Sequence, residues 1–275
     1  MRTFARRRGI HLGITLVAAI LLLGLYYVMS ASLYPGDYSS GWVLLGVIVF
    51  LAAYNVRKAF PFIPLGSSAA WLQAHIYLGL LTFLLFAIHV EFTIPNGFFE
   101  RILAGVYVSV FVSGLIGLYM TRRYPRRLTM LGSEVVFEHI PVLNRQIREA
   151  AEALVLQCNS EAETSAIPDF YVRRLRSFMD GHQDLWQHLF FGSSRRFHAL
   201  LRELYDQMRY LNDNERSVLS QLENLLRRKH ELDSQFALQA ALKCWLFAHI
   251  PLTWALLVFA FFHSMLVHAW SGGLW

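Results

Sequence analysis

The sequence predicts an all-α integral membrane protein with five transmembrane helices and a helical cytoplasmic insertion. Three observations carry that expectation. The 275 residues are 55 % hydrophobic and 16 % charged, too apolar for an ordinary water-soluble chain. Five windows, Ile10 to Met29, Gly41 to Asn55, Ala70 to Val90, Ile102 to Met120 and Cys244 to Val267, are apolar over lengths suited to crossing a bilayer, the second being the shortest. Nearly all the acids lie elsewhere, between Thr121 and Leu242.

The first window follows Met1 to Arg8, which carries four arginines. That arrangement could open a secretory signal, but the apolar run is long for one and Ser30-Ala31-Ser32 is a poor cleavage site, so a retained first span is expected. His11 reads as an interfacial residue beside the arginines. Tyr26, Tyr27, Tyr34, Tyr38 and Trp42 suit an aromatic belt at the outer surface, and the first two spans read as lipid-facing support. Phe60-Pro61-Phe62-Ile63-Pro64 then makes a turn, and the third span starts near Ser68. Glu91 to Arg101, with Pro95-Asn96-Gly97, makes a tight loop before the fourth span. Ser109, Ser113, Gly114 and Gly117 form a small-residue seam on that span, suited to helix packing.

Basic residues orient these spans. Arg2 to Arg8, Arg57 with Lys58, and Arg122, Arg123, Arg126 and Arg127 fall on alternate connections, while Tyr34 to Ser40 and Glu91 to Arg101 together hold three acids and one arginine. The positive-inside rule then places the N-terminus in the cytoplasm and the C-terminus outside. The net charge of +6 is largely this bias and calls for no nucleic-acid partner. Cys158 and Cys244 both fall on the reducing side, so no disulfide framework is expected.

The chain therefore divides into residues 1–120 with four spans, residues 121–242 as the insertion, and residues 243–275 with the fifth span and an external tail. In the insertion, Asn212-Asp213-Asn214-Glu215 resembles a capping box opening a helix through Val218, Leu219, Leu222, Leu225, Leu226 and Leu232. No breaker intervenes before Pro251, so this helix is expected to run into the last span. His139, His182, His188, His198 and His230 show no metal-binding spacing and read as ordinary surface or core histidines.

The chemistry lies in four other histidines. His75 and His89 on the third span, and His249 and His263 on the fifth, are each fourteen positions apart. Fourteen steps of about 100° overshoot whole turns by about 40°, so each pair shares a helix face, separated by roughly 21 Å along the axis. His268 lies about 100° from His249 and fits that face less well. Both spans run from inside to outside, so depth pairs His75 with His249 near the cytoplasmic face and His89 with His263 near the external face. A histidine within a span is costly unless paired or ligating. Two imidazoles at one depth can hold a b-type haem without covalent attachment, and a bundle interior is a suitable mount. The fold becomes a haem-binding bundle, with His75, His249, His89 and His263 as both cofactor-binding and metal-ligating residues of two haem b groups. Zinc suits the pattern less, since histidines fourteen residues apart on one helix cannot share an ion. Arg57, Lys58, Arg122 and Arg123 are candidate partners for inner haem propionates, and Arg101 for outer ones. Pro251 can bend the last helix and aim His249.

The paired spacings resemble the haem-binding helices of the dihaem cytochrome b superfamily. The segment Ser113-Gly114-Leu115-Ile116-Gly117-Leu118-Tyr119, followed by Arg122-Arg123-Tyr124-Pro125-Arg126-Arg127, is similar to bacterial membrane cytochrome b subunits. The likeness covers the third to fifth spans, and the large insertion between the two haem-binding helices departs from the usual pattern. The resemblance implies transmembrane electron transfer as a subunit of a respiratory or photosynthetic redox complex. Its partners would be lipid, a quinone, and redox subunits such as a c-type cytochrome or an iron–sulfur protein. The chain has no C-x-x-C-H, no iron–sulfur cysteine cluster and no dinucleotide fingerprint, so electrons enter and leave through such partners. Two alternatives stay open: a stand-alone transmembrane reductase of an external acceptor, and a non-haem transporter or scaffold.

Overall fold

The computed structural model describes residues 2–31, 36–59, 67–130, 135–161, 166–181, 184–192, 194–209 and 211–270. The side chains of Arg2 to Arg8, His11, Arg57 and Lys58, the turn at Phe60 to Pro64, the belt residues Tyr34 and Tyr38, the Ser30-Ala31-Ser32 side chains, and His182 lie outside the described residues. What is described is helical, with no strand among the described residues. Three helices are long and apolar enough to cross a membrane, within Ser68–His89, Phe98–Met130 and Asp213–Ala269; two shorter apolar stretches are Leu12–Val28 and Ser39–Asn55.

The chain forms two compact units. One comprises Met1–Tyr119 with Trp245–Trp275, the other Met120–Cys244. In the first unit, α1 (Arg2–Ala31) and α2 (Gly36–Ala59) precede α3 (Ser68–His89), α4 (Phe98–Met130) and the distal part of α10 (Asp213–Trp270). Helix α3 starts where a serine cap allows: the Ser67 hydroxyl accepts from the Ala70 N–H at 3.2 Å. Its end is closed by Phe92 N–H to the Ala87 carbonyl at 2.8 Å, with Glu91 and Phe92 in the left-handed region at φ 52° and 56°. The apolar core of this unit gathers Leu44 and Ile48 of α2, Leu85 of α3, Tyr107 of α4 and Leu256 of α10.

Helix α1 keeps most of its apolar side chains exposed. Helix α2 departs from the lipid-facing expectation. Its Leu44, Ile48 and Ala52 are buried, and Ser40 and Leu51 reach the histidines of α3. A run apolar on all sides carries no periodicity that separates a packed face from a lipid-facing one.

The second unit has its own core, built from α5 (Ile140–Glu161), α6 (Ala166–Phe170), a π-helical turn (Tyr171–Leu175), α7 (Arg176–Met179), α9 (Arg195–Met208) and the proximal part of α10. Between α7 and α9 lies the short α8 (Leu185–Phe190). The capping box at the start of α10 is formed in both directions. Glu215 N–H donates to Asn212 Oδ1 at 2.9 Å, and Asn212 N–H to Glu215 Oε2 at 3.1 Å. From there α10 continues unbroken for 58 residues, with Pro251 inside it.

Candidate functional site

Two cavities in the first unit hold the four histidines of interest. The larger, about 700 Å³, is lined by His89 and His263, with His268, Trp42, Glu100 and Tyr107 among its other walls. The smaller, about 110 Å³, is lined by His75 and His249 together with Gly79, Thr82, Gly114 and Thr253. Tyr107, Ile48 and Leu256 line both and form the partition between them.

His89 on α3 and His263 on α10 face each other with ring centroids 6.2 Å apart and planes 84° apart. That separation can be tested against an iron held between two imidazoles. Two metal–nitrogen bonds of about 2 Å, plus about 1.1 Å from each nitrogen to its ring centre, put the centroids roughly 6 Å apart. The pair therefore has the spacing that a bis-imidazole metal centre requires. His89 Nδ1 lies 3.3 Å from Ser40 Oγ on α2, a contact that orients the ring.

The inner pair is held through the same nitrogen. His75 Nδ1 lies 3.1 Å from the Leu51 carbonyl. A carbonyl only accepts, so His75 donates from Nδ1 and carries its lone pair on Nε2. His249 Nδ1 lies 3.1 Å from Ser113 Oγ on α4. The Ser113 carbonyl accepts from Trp245 Nε1 at 2.8 Å, and the Trp245 ring stacks on His249 at 5.4 Å. A Cβ at Gly117 would overlap the Trp245 indole, so the glycine admits that ring. Thr253 Oγ1 donates to the His249 carbonyl at 2.9 Å. The inner cavity, at about 110 Å³, is smaller than a macrocycle requires.

The remaining candidates sit as follows. His268 donates from Nδ1 to the Ser264 carbonyl at 2.8 Å and meets the Trp42 ring edge-on at 5.6 Å, at the rim of the larger cavity. Arg101 is exposed and donates to the Asn96 carbonyl at 3.1 Å; it is not part of the cavity wall. Arg122 and Arg123 are exposed and belong to the second unit. Among the described residues, no group of three or more His, Cys, Asp or Glu side chains converges as a metal site would require without a macrocycle.

Sequence reasoning missed three features. Ser40 and the Leu51 carbonyl were invisible because any serine or backbone oxygen one helix away could serve. Ser113 was assigned to packing, yet it also contacts His249. In the second unit, His188 and His230 converge to ring centroids 4.8 Å apart, although 42 positions separate them in the chain. His188 Nδ1 bonds Ser234 Oγ at 2.7 Å, while His188 Nε2 and His230 Nδ1 are buried without a hydrogen-bond partner among the described residues. Burial lowers the pKa of both imidazoles, His230 to about 4.

Compared with protein-family models, curated proteins and solved structures, the chain matches none.

Proposed function

We propose that this chain is a membrane cytochrome b: a five-span, inner-membrane electron-transfer subunit carrying two b-type haems. The observation that supports it best is the His89–His263 pair, whose 6.2 Å centroid separation leaves room for an iron that both imidazoles would hold. A haem between two imidazoles supplies a one-electron couple that binds no substrate at iron. The residues supply position and surroundings. His75 and His249 would hold the haem nearer the cytoplasm, and His89 and His263 the one nearer the outside. The Leu51 carbonyl holds His75 through Nδ1, which would leave its Nε2 for iron, and Ser113 and Ser40 contact Nδ1 of His249 and His89. Tyr107, Leu256 and Ile48 separate the two sites with apolar surface, which excludes water from the space between them. The two centres would form a wire across the bilayer, exchanging electrons with a quinone and with redox subunits such as a c-type cytochrome or an iron–sulfur protein.

The test is the haem-to-protein ratio of the purified chain, with a reduced-minus-oxidised spectrum. Two haem b per chain is expected, falling to one in each of His75→Ala, His89→Ala, His249→Ala and His263→Ala. Folded protein without haem would overturn the reading and favour a transporter or scaffold. Co-purification with other redox subunits, against activity of the isolated chain toward an external acceptor, separates a complex subunit from a stand-alone reductase.

A further inference from the structure

The second unit carries an aromatic surface that its own core does not use. Trp186, Phe190 and Phe191 are 73 %, 73 % and 80 % exposed, and none belongs to the core cluster. Helical geometry sets this outward face. Trp186 and Phe190 are four positions apart on α8 and stack with ring centroids 6.1 Å apart and planes 10° apart. Between them, His188 points the opposite way, 1 % exposed and bonded to Ser234. The aromatic face therefore cannot turn inward without expelling His188.

The short helix is clamped where it ends. Gly192 adopts φ +77°, and its N–H returns to the Gln187 carbonyl at 3.1 Å. Arg127 of α4 caps the freed carbonyls, donating to Leu189 O at 2.6 Å and also to His188 O. Arg127 closes the basic run Arg122-Arg123-Tyr124-Pro125-Arg126-Arg127, which follows the apolar window ending at Met120.

We propose that α8 with Phe191 is an interfacial anchor, seating Trp186, Phe190 and Phe191 among the headgroups of an anionic leaflet. Aromatic side chains favour that zone, and the exposed Arg123, Arg126 and Arg195 provide positive charge complementary to acidic lipids. Arg195 adjoins the patch, since its N–H donates to Gln187 of α8 at 3.0 Å. Area favours lipid over a protein partner. Three aromatic side chains of about 150–250 Å² each, even if wholly covered, fall short of the roughly 800 Å² per partner of a standard protein interface. The inference rests on the reading of α4 as a membrane span.

The experiment uses the full chain with Cys244→Ser, in nanodiscs containing anionic phospholipid, with nitroxide labels at three single cysteines. Val258→Cys lies in the apolar stretch of α10 and Leu156→Cys is 70 % exposed in the second unit. The third label is at Phe190→Cys. Oxygen and a water-soluble nickel chelate serve as collision reagents. The label at 258 is expected to collide mainly with oxygen and the label at 156 mainly with nickel. The label at 190 should show an oxygen-to-nickel ratio several-fold above that at 156. If 258 is not oxygen-accessible, the membrane reading itself fails. If 258 is oxygen-accessible but 190 matches 156, or is shielded from both reagents as in a protein contact, the anchor is overturned.

Discussion

Gly41 of α2 stands against the imidazole of His89: a Cβ built on it would lie 2.9 Å from His89 Cε1 and 3.3 Å from Nδ1. The glycine thus sets how far the ring can lie toward α2, and through it the distance to His263. A valine at 41 must push the ring toward the cavity. If the chain carries the two proposed haems, Gly41→Val is expected to lower haem content from two per chain to about one, with the inner haem retained, measured by pyridine haemochrome on protein of unchanged helicity. Two haems with an unaltered spectrum would refute the role of Gly41.

A second glycine has a structural role separable from any cofactor. Gly117 admits the Trp245 indole against α4, where Trp245 Nε1 donates to the Ser113 carbonyl. Gly117→Val should destabilise the protein by about 1–3 kcal/mol, as overpacking does. Adding Trp245→Leu removes the overlap and should recover part of that loss. Thermal unfolding in detergent of the wild type, the single variant and the double variant measures it. No recovery in the double variant would show that the indole is not the obstacle.

The three long apolar helices were legible because an apolar run is a one-dimensional signal. The same holds for Asn212 and Glu215, whose reciprocal hydrogen bonds join residues three apart. Ser40 and Leu51 were not legible, because their contacts with His89 and His75 cross 49 and 24 positions and use groups that every helix contains. Nor was the meeting of His188 with His230, which depends on α8 being clamped by Arg127 from a third helix. The π-helical turn at Tyr171–Leu175 left no mark of its own in the sequence.

Lys229 and Asp233 form an ion pair in the second unit with both side chains 0 % exposed, at 2.6 Å. Lys229 also reaches the Gly181 carbonyl at 2.5 Å. Burial pulls the lysine pKa down, and the Asp233 carboxylate opposes that pull. Removing one partner strands the other charge. Asp233→Asn should cost about 3–5 kcal/mol, whereas Lys229→Met with Asp233→Leu should cost much less. Cys158, buried in the core of this unit, reports its opening by thiol labelling across a denaturant series in a Cys244→Ser background. Equal losses in the single and double variants would show that the charge itself is not what destabilises.

The same thiol reads the pH response of this unit. His188 and His230 face Asp184 and Asp233, which favour their charged forms, and Lys229, Arg127 and His198, which oppose them. Burial outweighs both influences and keeps each pKa below its ordinary value of 6.5, His230 at about 4. Above pH 6.5 neither the folded nor the unfolded chain protonates these rings, and their contribution to stability is fully present. As pH falls from about 6.5 toward 4, the unfolded chain takes up protons that the folded one refuses, so stability is lost. Carboxylates stay ionised in both states over most of that window, which leaves the slope to the histidines. His230 stacks on Phe197 at 3.9 Å with planes 3° apart, so His230→Phe keeps a flat ring there and removes the titration. The denaturation midpoint read through Cys158 should drop between pH 7 and pH 5 in the wild type and drop less in His230→Phe. Equal slopes in the two proteins would mean that His230 is not the group being titrated.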